Sequence, residues 1–150
     1  MRPSRPGRRS TGGSDRGAAT VELAVLVPAL VLVLGLLVAG GRLWFARTAV
    51  ADAAQTAARA GSLARTSAAA AADGELAGRA SLATAGLRCT ESSVRVDTTA
   101  FGVPVGTPAT VRSVISCRVP FADVLLPGMA GSIALTSEGA SALDTYRSRR

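Results

Sequence analysis

Residues 23–41 form a run of 19 without a charged side chain, seven of them Leu and five Val. The apolar positions fall on every side of a helix rather than along one stripe. A run of that kind predicts a helix that crosses a bilayer. At about 1.5 Å of rise per residue it spans about 28 Å, against a hydrocarbon core of ~30 Å. Leu and Val at roughly −0.4 kcal/mol each favour insertion by about 5 kcal/mol in all. Extending the segment back to Ala18 adds one charge, Glu22. A buried core helix is the competing reading, but the rest of this chain is too small to cover a helix that is apolar all round. A cleaved secretory signal is another. Its apolar region is shorter, about 7–15 residues, and no clear small-x-small site precedes Arg42.

Past Gly41 the pattern narrows. Leu43, Ala46, Val50, Ala53, Ala57 and Ala60 recur at three- and four-residue steps, with Asp52, Gln55 and Arg59 mainly on the other side. This spacing continues the helix over residues 42–65. The face is rich in alanine, so helix propensity is high and the apolar stripe is thin. Such a face needs a neighbour, either the downstream domain or another subunit. Residues 66–86 are low-complexity Ala, Ser and Gly, with an alanine run interrupted at Asp73 and Gly74. A second short helix is expected over about 74–85, ending at Gly86.

The period then changes to two. Residues 94–98 alternate apolar and polar positions, residues 101–108 are turn-rich, and residues 110–119 carry Val111, Val114, Ile115 and Val119. Residues 120–131 read as a connection, and residues 132–137 as a third strand with Ile133 and Leu135 on one face. The predicted fold class is α+β. A long N-terminal transmembrane helix continues into an Ala-rich helix, followed by a small β-rich domain of about three antiparallel strands. The predicted segments are a basic cytoplasmic leader at 1–17, a transmembrane helix at 18–41, an Ala-rich helical stalk at 42–86 and an extracytoplasmic β-rich domain at 87–150.

Composition sharpens this picture. The chain has 150 residues, 48% of them apolar but only 3% aromatic, a mix that suits a membrane helix better than a large packed core. All 17 basic residues are Arg, and His, Lys and Asn are absent. Without His there is no Ser-His-Asp triad and no imidazole metal site, and without Lys no Schiff base. No acid pair sits in a recognisable motif. The expectation is therefore a non-enzyme with no cofactor and no bound metal. The net charge of +7 is concentrated at the start, where Arg2, Arg5, Arg8, Arg9 and Arg16 face one acid, Asp15. Only Arg42, Arg47 and Arg59 lie in the twenty residues after the apolar run. This asymmetry places the N-terminus in the cytoplasm and the C-terminal domain outside, in a single-pass protein of the cell membrane. Arg42, Trp44, Phe45 and Arg47 fall at the helix exit, where arginines and aromatics serve as interface anchors to the lipid bilayer. No nucleic-acid partner is expected, because the tail has no binding fold and no interleaved aromatics.

Two cysteines, Cys89 and Cys117, lie in the β-rich half. With no His they cannot build a four-ligand zinc site. Outside the cytoplasm they are expected to form a disulfide, which would add roughly 3–4 kcal/mol by closing its loop. Two buried free thiols are the alternative.

The junction between tail and helix carries the sharpest signal. Glu22 near the start of a spanning helix costs free energy unless it lies at the interface or meets a positive partner. Gly17, Ala18, Ala19, Thr20, Val21 and Glu22, after Arg16 and before Leu23 and Ala24, form a Gly-x-x-x-x-Glu pattern at the head of an apolar helix. With Pro28 a little further on, this resembles the TadE/TadG-like family, pseudopilin-like proteins of the tight-adherence (Tad/Flp) pilus. The resemblance covers roughly residues 15–60. It departs at Leu23, where the family often carries an aromatic.

The resemblance implies cleavage by a prepilin peptidase between Gly17 and Ala18. It also implies pairing of Glu22 with an incoming subunit's amino terminus, which would set register inside the membrane. The implied partners are the prepilin peptidase, Tad-type pilus assembly proteins and pilin subunits. Pro28 removes one helix donor, giving either a functional kink or a tolerated one. A plain bitopic envelope protein, unprocessed and binding an external ligand, is the alternative function.

Overall fold

The computed structural model describes residues 15–124 and 128–146, with side chains described from Glu22 onward. The predicted leader therefore lies largely outside the described residues. The element order is α1 (Asp15–Leu63), α2 (Ser67–Thr84), β1 (Glu91–Asp97), a 3-10 turn (Thr99–Gly102), β2 (Ala109–Pro120), α3 (Phe121–Val124) and β3 (Ser132–Leu143). The α+β class is as the sequence predicts. The chain divides into two compact units, Met1–Leu37 and Val38–Arg150.

In the first unit, the described chain is α1 alone, continuing without a break through Pro28. Every described side chain from Glu22 to Leu37 is exposed, with Leu32 at 74% and Leu36 at 75%. Among the described residues of this unit, no other element covers the apolar side chains.

The second unit is built on a three-stranded antiparallel sheet in the order β1-β2-β3. Its register sets Val94 opposite Ile115, and Cys117 opposite Leu135. Alternation along β2 sends Val111, Ser113, Ile115, Cys117 and Val119 inward, and Arg112, Val114 and Arg118 outward. The outer face is polar. Ser93 and Ser116 share a hydroxyl hydrogen bond of 2.8 Å, and Arg118 donates to Glu91 at 3.0 Å.

The inner face is covered by helix. Ala46, Val50, Ala53, Ala54 and Ala57 of α1 share one cluster with Leu82 of α2 and with Val94, Ile115, Val119 and Leu135 of the sheet. The helical residues after Gly41 and the strand-rich residues after Leu87 thus form a common core, although their sequence periods differ. Alanine supplies little apolar area per residue. The core closes by close approach instead. A Cβ placed at Gly139 would strike the Ala54 carbonyl, and the Ser113 hydroxyl donates to that same oxygen at 2.6 Å. A Cβ at Gly74 would lie 2.7 Å from Val96 and 2.9 Å from the Ala57 carbonyl oxygen. At Gly78 it would lie 2.9 Å from Ile115. Small residues let the two helices and the sheet meet almost backbone to backbone.

The second helix starts earlier than the sequence pattern predicts, at Ser67 rather than near residue 74. Thr66 caps it, accepting a hydrogen bond from the Ala69 N–H at 3.1 Å. Gly74 does not break the helix because it lies at the contact with Val96. The helix ends at Thr84, and Gly86 just beyond it, where the sequence pattern predicts the stop, has a φ of 71° that suits glycine. There the Gly86 N–H donates to Ala83 O and the Leu87 N–H to Leu82 O, satisfying the last carbonyls. The third strand also runs further than expected, to Leu143.

Candidate functional site

The sequence-predicted residues fall in three places. Gly17 and Ala18 are helical, within the first turns of α1. Glu22 follows one turn later, exposed, and Pro28 stands inside the same helix. The helix from Glu22 to Leu63 is long and apolar enough to cross a membrane, by length and composition. Its apolar window is almost entirely uncovered by protein. A backbone in that helical state hydrogen-bonds internally, which is what a hydrocarbon environment requires.

The second place is the exit of the apolar run. Arg42, Trp44, Phe45 and Arg47 occupy nearby helix positions and so diverge at about 100° per residue. Arg42 and Phe45 line one open groove of about 680 Å³ together with Val38, Gly41, Arg88 and Asp123. Arg47 lines another beside Val50 and the start of β3. Trp44 is 69% exposed. The helix here is held by Thr48, whose hydroxyl donates to the carbonyls of Trp44 at 3.2 Å and Phe45 at 2.9 Å. The four residues anticipated as one belt of anchors thus present their side chains around the helix circumference.

Arg88 and Asp123 are the charged members of the first groove that sequence reasoning does not single out. They come from the α2–β1 connection and from α3, far apart in the chain, and only the folded core brings them to Arg42. The one local signal is that Arg88 precedes a cysteine.

The third place is the disulfide. Cys89 and Cys117 are bonded, with Cα atoms 5.3 Å apart. The pair ties the segment entering β1 to the middle of the sheet. Beside it, Thr90 donates its N–H to Arg118 O at 2.8 Å. Cys117 is buried in the main cluster, and Cys89 packs against its edge.

Asp97 ends β1 and turns the chain into the 3-10 segment. Hydrogen bonds from Thr99, including its N–H at 2.9 Å, hold the Asp97 carboxyl below the usual aspartate range, with a smaller contribution from Arg112. This is a turn-forming contact on the exposed side of the fold.

An exposed apolar helix preceded by the Gly17-to-Glu22 pattern is the arrangement that the comparison with protein families addresses. Residues 17–59 match the family model described as TadE-like protein. This stretch is TadE-like. The match begins at Gly17, includes Glu22, Pro28 and the aromatic exit, and ends at Arg59, within α1. It therefore takes in both the bare half of the TadE-like helix and most of the half that lies on the sheet. No curated protein and no solved structure matches the chain.

Proposed function

We propose that the chain is a non-enzymatic, membrane-anchored pseudopilin-like component of a tight-adherence pilus system. Residues 18–41 are embedded in the bilayer, the N-terminus is cytoplasmic, and the sheet-bearing unit is outside. The observation that carries this reading is the coincidence of a TadE-like match with a helix whose Leu and Val side chains from Leu23 to Val38 are all exposed. The arginine-rich leader supports the orientation by the positive-inside rule. The Cys89–Cys117 bond supports an oxidising, extracytoplasmic setting for the second unit.

In this reading a prepilin peptidase cuts between Gly17 and Ala18. The cut leaves a new α-amino group on Ala18, which can carry a positive charge. Glu22 of a neighbouring subunit pairs with it. In hydrocarbon each charge alone is costly, so the pair is favoured over the separated groups and fixes axial register between subunits. The partners are the peptidase, the assembly proteins of the Tad machinery and pilin subunits.

The test is Glu22→Gln in the host cell, read by membrane fractionation and by recovery of assembled surface structures. The reading predicts normal insertion and strongly reduced assembly. Unchanged assembly in the variant would remove the role assigned to Glu22.

A further inference from the structure

We infer that the groove lined by Arg42, Phe45, Arg88 and Asp123 holds the headgroup of a phospholipid carrying both a phosphate and a primary amine. The inference rests on the membrane reading above and goes beyond it, because it assigns a lipid class to a defined site. The location follows from the lining. Val38 and Gly41, which line the groove, are among the last residues of the apolar run, so the groove opens where that run ends. A helix embedded up to Gly41 sets this groove at headgroup depth.

The charges decide the class of ligand. Among the described residues, the ion pairs are Arg79 with Glu75 and Arg118 with Glu91. Arg42, Arg88 and Asp123 take part in neither, and all three are exposed. Two guanidiniums are well suited to a phosphate, which each can grip through paired N–H donors. A purely anionic headgroup would satisfy them but would meet repulsion from Asp123. A headgroup with a phosphate and an ammonium satisfies all three groups. A quaternary ammonium offers Asp123 no N–H. Phe45, 59% exposed, and Val38 provide apolar surface for the glycerol and upper acyl carbons.

The experiment uses the full chain reconstituted in vesicles containing equal parts phosphatidylethanolamine, phosphatidylglycerol and phosphatidylcholine. Co-flotation is measured first, then lipids retained after extraction are counted by native mass spectrometry. The wild type should float and retain phosphatidylethanolamine over each other lipid by about fivefold, the value of one ion pair of ~1 kcal/mol. Arg88→Ala should lower retention of phosphatidylethanolamine and phosphatidylglycerol alike. Asp123→Asn should abolish the preference between those two while keeping both. Arg112→Ala, the same charge change on the outer sheet face, should leave retention unchanged. Equal retention of all three lipids by a floating wild type would overturn the inference and leave the membrane reading intact. Retention by Arg88→Ala equal to that of Arg112→Ala, with the disulfide formed in both, would overturn it as well. Failure to float would overturn both the inference and the membrane reading.

Discussion

The two halves of α1 use side chains in opposite ways. Between residues 23 and 38 the helix carries Leu and Val, and all of them are exposed. Between residues 46 and 58 its inward face is Ala46, Ala49, Val50, Ala53, Ala54, Ala57 and Ala58, and all are buried. A water-soluble helix would put the large residues inside, because burial stabilises in proportion to apolar area. Here the large side chains are left exposed, and the small ones meet the sheet. In the membrane reading proposed above, one helix serves two solvents: lipid would reward Leu and Val without requiring fit, whereas the protein core rewards close approach.

The comparison breaks most sharply if charge enters the bare half. Leu30→Arg with Leu34→Arg should cost roughly 5–7 kcal/mol of insertion, more than the apolar run supplies. The protein should move from the membrane to the soluble or degraded fraction, while its sheet-bearing unit keeps its fold by circular dichroism. Retained membrane association would contradict the assignment.

On the strand that faces the covered half the matching change is Gly139→Val. Its side chain would collide with the Ala54 carbonyl, which a packed helix cannot move aside. Destabilisation of more than about 3 kcal/mol is expected in denaturant titration, against a negligible effect from Leu32→Ala on the same unit.

Cys89→Ser follows, with an expected loss of about 3 kcal/mol measured the same way, for loss of the cross-link. Ser113→Ala should cost about 1 kcal/mol, since it removes a buried hydrogen bond to Ala54 but leaves that carbonyl its helical partner. The smallest effect concerns Asp97. Its folded pKa is lowered, so the stability it contributes is complete above the unfolded value and is lost as pH falls through the folded one. Asp97→Asn should therefore flatten a small part of the acid limb below about pH 4 and change nothing in the slope near neutrality.

The sequence pattern locates the three strands because β-branched and apolar residues alternate at Val94 and Val96, from Val111 to Val119, and at Ile133 and Leu135. It stops short on β3 because the next inward positions past Ser137 are Gly139 and Ser141, which carry no apolar signal, and the buried Leu143 comes only after them. Their fit comes from facing an alanine helix, with Ser141 sharing a 2.9 Å hydrogen bond with Ser62. Gly74 misleads for the same reason: as a local residue it interrupts a helix, and as a contact it permits one. The apolar run, the Gly17-to-Glu22 junction and the TadE-like match are local features, and they are legible. The grouping of Arg42 with Arg88 and Asp123 is not, because nothing in the spacing of positions 42, 88 and 123 sets them side by side.

The central claim is a membrane-embedded, processed pseudopilin-like subunit. The most direct measurement is the intact mass and N-terminal sequence of the protein purified from its native membrane. A chain beginning at Ala18 is the predicted result. A membrane-bound chain beginning at Met1 or Arg2 would contradict processing and leave a plain bitopic envelope protein.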